Sequence, residues 1–141
     1  PQYALWAQVL ATALGSGAFS AFFGGGVNDA LCAAFCGVVL GALLFFMGRR
    51  NANLFFKSIV GSALAALIAV AETRLGLGRN LDMIIIGTLM CLVPGIMITN
   101  FMRDIITGDW VAGITKLTEA LLIAAGIAIG AGIVLYAAQA L

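Results

Sequence analysis

The sequence predicts an all-α, polytopic integral membrane protein with about five transmembrane helices, the fourth broken or kinked at Pro94-Gly95. Two observations carry that class. Of 141 residues, 63% are hydrophobic and 9% charged, against about 25% charge in a soluble globular domain, so a water-facing surface cannot be assembled from this composition. The apolar residues also fall in runs of roughly 20, the length that crosses a hydrocarbon core of about 30 Å at 1.5 Å per residue. The chain 1–141 reads as a single transmembrane domain with the lipid bilayer as its solvent.

The first span is expected over 3–23, ended by Gly24, Gly25 and Gly26, where three glycines favour a break. Asn28 or Asp29 can cap the second, 28–47, which stops at Gly48-Arg49-Arg50-Asn51 because those charges are costly in hydrocarbon. A third span covers 54–71, and Asn80 or Asp82 can cap a fourth over 83–102. After a polar stretch from Arg103 to Lys116, the fifth runs over 117–140. Gly126 and Gly130 at GxxxG spacing, with the alanines from Ala63 to Ala71, let helix backbones approach closely. The chain starts at Pro1, and its first apolar run lacks a secretory leader's basic start and cleavage site, so it reads as a piece of a longer protein.

Charge and motif content exclude several function classes. A net charge of +1 leaves no basic stripe for nucleic acid, and the absence of histidine leaves no His-rich metal site. Cys32, Cys36 and Cys91 lie inside apolar runs and read as small buried side chains, not a disulfide framework. No catalytic triad, phosphate loop or metal-ligand spacing is present, so neither enzymatic chemistry nor a cofactor is expected. The Arg49, Arg50 and Lys57 cluster places its loop in the cytoplasm and the carboxyl terminus outside, although Arg74 and Arg79 then fall on the outer face.

The segment from Val93 to Asp109 carries most of the polar chemistry. Pro94 removes a backbone donor and clashes with the preceding turn, so the fourth helix should break there. The half-helix beginning at Gly95 then points its positive dipole end at a guest such as a carboxylate. Asn100 and Asp104 share one helix face, while Thr99, Arg103 and Thr107 form a second polar row. Arg103, Asp104 and Asp109 have two open readings, as a pathway lining or as interface anchors with Asp109 capping the last helix. Glu119 either holds a proton or pairs with Lys116 or Arg103. Asp29, Glu72 and Asp82, at span ends, read as structural carboxylates in solvated surroundings.

The Phe22-Phe23-Gly24-Gly25 turn before Asp29, the Arg49-Arg50 loop with Asn53 and Phe56, and the series Pro94-Gly95, Asn100, Arg103-Asp104, Gly108-Asp109, Gly113 and Glu119-Ala120 resemble the first component of the threonine/serine exporter family. The resemblance covers nearly the whole chain. It implies a multi-pass protein of the cell membrane that exports small hydrophilic amino acids from the cytoplasm, coupled to the proton gradient. It also implies an amino-terminal soluble domain absent from this chain and a second small multispan component, separate or fused. Lys116 stands where the family pattern has arginine, which keeps the charge but not a bidentate contact.

Under that resemblance the substrate-binding candidates are Pro94, Gly95, Thr99, Asn100, Arg103 and Asp104, and the proton-coupling or pathway candidates are Asp109, Lys116 and Glu119. A zwitterion needs a cation for its carboxylate and an acceptor for its ammonium group, and this set offers both. Relatives linked with dicarboxylate export keep a succinate-like substrate open. A purely structural or assembly subunit is a third reading, and a homo-oligomer is a further expectation.

Overall fold

The computed structural model describes residues 4–50, 53–93 and 95–140, and these are all helix or connecting turn. Six helices follow one another: α1 (Leu5–Phe22), α2 (Val27–Arg49), α3 (Leu54–Arg74), α4 (Leu81–Leu89), α5 (Gly95–Ile106) and α6 (Trp110–Ala140). α1, α2, α3 and α6 are each long and apolar enough to cross a membrane. α4 and α5 are too short to do so singly, since nine and 12 residues span roughly 13 and 18 Å. Together they make one interrupted crossing, so the architecture is the all-α one the sequence predicts, with about five crossings. Pro94 lies outside the described residues, but the helix stops at Leu89 and restarts at Gly95 on either side of it.

Small residues set how closely these helices pack. α1 and α2 form an antiparallel hairpin turned at Gly24, whose φ of +104° is readily adopted only by glycine. A Cβ at Gly37 would lie 2.6 Å from the Thr12 carbonyl oxygen, and one at Gly87 would lie 2.7 Å from that of Ser16, so α2 and α4 both rest directly on the α1 backbone. α3 and α6 run parallel, with Gly126 against Phe55 and Ser58, and Gly130 against Ile59 and Ser62. At the far end of that pair Arg74 donates to the Ala138 carbonyl at 2.6 Å. The central apolar cluster takes Cys32, Ala33 and Cys36 from α2, Ala66 and Ala69 from α3, Ile84 and Ile85 from α4, and Ala131 from α6. Large apolar side chains such as Leu14, Phe35, Leu67 and Leu121 point outward, as a lipid solvent allows.

The bundle therefore has two ends. The Arg50 end carries the start of α1, the α2–α3 connection and the α5–α6 turn; the Gly24 end carries the α1–α2 turn, the loop over 75–80 and the end of α6. The first and last helices open and close on opposite ends, as five crossings require. At the Gly24 end Asp29, 2% exposed, accepts backbone N–H groups from Gly26 at 3.2 Å, Arg79 at 2.8 Å and Asn80 at 3.1 Å. Gly26 is the N-cap of α2 and Asp29 reaches back to it from the first turn, while Asn80, the N-cap of α4, makes no side-chain cap bond.

One boundary differs clearly from expectation. The last helix begins at Trp110, not near 117, and the polar stretch from Arg103 to Lys116 is helical except around Thr107 to Asp109. Hydropathy marks where a helix leaves hydrocarbon, whereas its end is set by capping and turn residues. Here Gly108 takes φ +90° and Asp109 accepts the Ala112 N–H at 3.2 Å, so the turn is only three residues long.

Candidate functional site

Between the two halves of the fourth crossing lies a groove of about 990 Å³ on the Arg50 side of the bundle. α1 contributes Gln8 and Ala11, α2 the stretch around Leu44 and Gly48, α3 Lys57 and Ser58, and the break contributes Cys91 to Val93 with Gly95 to Met97. The floor is held in place: Cys91 Sγ lies 3.3 Å from Ser16 Oγ and 3.7 Å from the Thr12 carbonyl oxygen. Gly95 opens α5, and a Cβ there would meet no atom within 4 Å. The Gly95 N–H donates to the Val93 carbonyl at 2.9 Å, but the N–H groups that follow it in the first turn have no partner within the helix and carry its positive dipole end, so the start of α5 is suited to an anion. Lys57 adds a full positive charge, and the described lining contains no carboxylate.

The other predicted site residues follow α5 away from this groove. The Thr99 hydroxyl donates to the Gly95 carbonyl at 3.0 Å and its side chain is exposed, while Asn100, on the adjacent face, is half-buried. Asp104, 8% exposed, accepts from Lys116 Nζ at 2.5 Å and lies 3.6 Å from Arg103 Nε. Gly113 permits this closure of α5 on α6, since a Cβ there would lie 2.7 Å from Ile105 Cδ1. Gly95 and Asp104 are nine residues apart, roughly 13 Å along a helix, too far for one amino acid to touch both. The predicted set is thus divided between the groove and an Arg103–Asp104–Lys116 cluster.

That cluster lies beyond the start of α3. Glu119 is level with Asn53, Leu54 and Phe55 at the start of α3, so the part of α6 before it, including Lys116, projects past the Arg50 end. At 31 residues α6 reaches roughly 46 Å, which exceeds a hydrocarbon core of about 30 Å. Asp109 caps α6, accepting the Ala112 N–H. Glu119 is exposed and, among the described residues, pairs with neither Lys116 nor Arg103, because both cations are turned to Asp104.

Two polar residues gain a place that sequence reasoning did not give them. Lys57 read as part of the basic loop, but it sits one turn inside α3 and lines the groove; a lysine inside an apolar run, followed by Ser58 and Ser62, was the available signal. Glu72 read as a solvated end-of-span carboxylate, yet it is 6% exposed and accepts the Cys36 thiol at 3.4 Å. The cysteines themselves are free, with Cys32 and Cys36 buried, as expected.

Residues 1–137 match the model of a protein family described as "Putative threonine/serine exporter". The chain belongs to the threonine/serine exporter family. It is similar to the "Threonine/serine exporter" of Corynebacterium glutamicum, 29% identical over 135 residues that make up 93% of this chain and 28% of that protein. It is also similar to the "Probable threonine/serine exporter" of Mycobacterium tuberculosis, 31% identical over 102 residues, 71% of this chain and 18% of that protein. The chain therefore spans less than a third of the length of either relative. No solved structure matches it. In this member of the exporter family the Asn100, Arg103-Asp104, Gly108-Asp109, Gly113 and Glu119-Ala120 series maps onto a single α5–α6 hairpin, with Gly95 at its root.

Proposed function

We propose that the chain is the membrane-embedded part of an exporter that moves threonine and serine out of the cytoplasm, driven by the proton gradient. The observation that carries this reading is the interrupted fourth crossing, which leaves a half-helix start open to a groove inside a bundle of spans. The substrate carboxylate docks at the start of α5, at Pro94-Gly95, against Lys57. Thr99 and Asn100, one turn along, supply hydrogen bonds to a side-chain hydroxyl, and Arg103, Asp104 and Lys116 handle both charges of the zwitterion at the mouth, with Asp109 and Glu119 beside the path. The rest of the exporter, which this chain does not contain, supplies a soluble domain and a second multispan component.

A lining with a cation and no carboxylate also favours an anion without an ammonium group, so export of a dicarboxylate such as succinate is the second reading. Efflux of labelled threonine, serine and succinate from cells with and without the complete exporter separates them. Faster loss of threonine and serine is the expected result. Faster loss of succinate alone replaces the substrate, and no change in any of the three reduces the chain to an assembly role.

The orientation has its own test. A cysteine placed at Asn51, in a chain freed of native cysteines, is expected to resist an impermeant thiol reagent in intact cells, whereas one at Leu77 reacts. Equal labelling reverses or removes the assignment of the Arg49-Arg50 loop to the cytoplasm.

A further inference from the structure

Glu72 lies in the last turn of α3, at the Gly24 side of the bundle, and none of the candidate sites above includes it. Its side chain is buried, and among the described residues it forms no ion pair. A carboxylate taken out of water costs several kcal/mol unless a cation or a full set of donors compensates. The groups facing it do neither. From α2 come the thiols of Cys36, 3.4 Å away, and of Cys32, with Asp29 a turn nearer the start of that helix and already satisfied by three backbone N–H groups. From α4 comes Thr88, facing Cys36. From α6 the residues in this cluster are aliphatic: Ala131, Val134 and Leu135. The neighbouring cation on its own helix, Arg74, is turned to the Ala138 carbonyl at 2.6 Å.

The carboxyl nevertheless has access. It borders a groove of about 610 Å³ lined also by Asn28, Phe35, Ala71 and Leu77, which reaches the loop residues at the Gly24 end. On its other side Cys36 precedes Gly37, where a Cβ would lie 2.7 Å from Ser16 Oγ, and Ser16 in turn meets Cys91 at the floor of the large groove. On α2, then, Cys36 meets Glu72 while the next residue, Gly37, rests on Ser16 of α1.

We infer that Glu72 is the proton-binding carboxyl of the transport cycle, loaded from the groove at the Gly24 end and coupled to the substrate groove through α2, which sets Cys36 against Glu72 and Gly37 against Ser16. This rests on the reading of the chain as part of a gradient-driven exporter. In the step concerned an O–H bond forms on a Glu72 carboxyl oxygen and the buried negative charge disappears; release of the same proton restores it. Neutralisation removes the cost of closing the bundle around this residue, which is how one proton favours one conformation over another.

The test uses the complete exporter in proteoliposomes, measuring threonine counterflow at equal pH and threonine accumulation under an imposed pH difference. Glu72→Gln keeps the shape and loses the titration, and is expected to retain counterflow within about twofold of wild type while pH-driven accumulation falls at least ~10-fold. Accumulation retained in Glu72→Gln, or counterflow lost together with it, overturns the assignment. Cys36→Ser, which preserves a donor to the carboxyl, is expected to stay coupled; loss of coupling there moves the function to the thiol and overturns the assignment as well. Wild-type vesicles without threonine or serine counterflow remove the exporter reading itself, whereas active wild type with a coupled Glu72→Gln removes only the role of Glu72.

Discussion

Gly95→Trp is expected to abolish threonine and serine efflux, at least ~10-fold below wild type, with the amount of exporter in the membrane unchanged. A side chain at this position meets open space, so folding does not oppose it. The space it fills is the mouth of α5 within the large groove, where a carboxylate would meet the helix N–H groups and Lys57. Efflux measured against membrane protein level in the same cells separates the two effects. Gly95→Ala, which adds one methyl group to an open site, is expected to retain most activity. Equal efflux from Gly95→Trp and wild type would place the substrate elsewhere.

The second large effect concerns folding. Gly130→Leu is expected to cost about 1–3 kcal/mol or more by overpacking and to lower the yield of folded exporter sharply. A Cβ there would already run into Ser62 Oγ and the Ile59 carbonyl, and the carbonyl, being backbone, cannot retreat without parting α3 from α6. Gly132→Leu is the matched control: the same substitution two residues on, at an exposed position with nothing within 4 Å, should melt like wild type. Thermal unfolding of the two variants in detergent decides the matter. Similar melting temperatures would mean that the α3–α6 contact contributes little.

These contrasts indicate what could be read from sequence alone. Helix class and the approximate number of crossings follow from composition and run length, and the break follows from proline chemistry, so both were legible. Which glycines touch a neighbour was not, because Gly126, Gly130 and Gly132 look alike until α3 is placed beside two of them. The extra turns at the start of α6 were hidden for a different reason: polarity from Arg103 to Lys116 says that the chain has left hydrocarbon, not that it has stopped being helical. For the same reason the candidate residues from Pro94 to Asp104 appeared to be one site. Spacing along the chain shows a shared face, but a helix spreads them over roughly 13 Å. Lys57 and Glu72 illustrate the converse, since each sits near a span end, where a charged side chain looks solvated until its neighbours are in place.

Asp29 also makes the two ends of the bundle unequally cross-linked. Its three backbone bonds rivet the α1–α2 turn to the loop that leads into α4, and α4 is wedged among α1, α2 and α3. α5 packs chiefly on α6 and is joined to α4 only through the non-helical residues around Val93. The Asp29 bonds thus tie the start of α2 to the start of α4 at the Gly24 end, whereas α5, between Gly95 and the turn at Gly108, is held chiefly by α6. The more heavily bonded end is the one that carries Glu72, and the end with the less tethered helix is the one that carries the large groove.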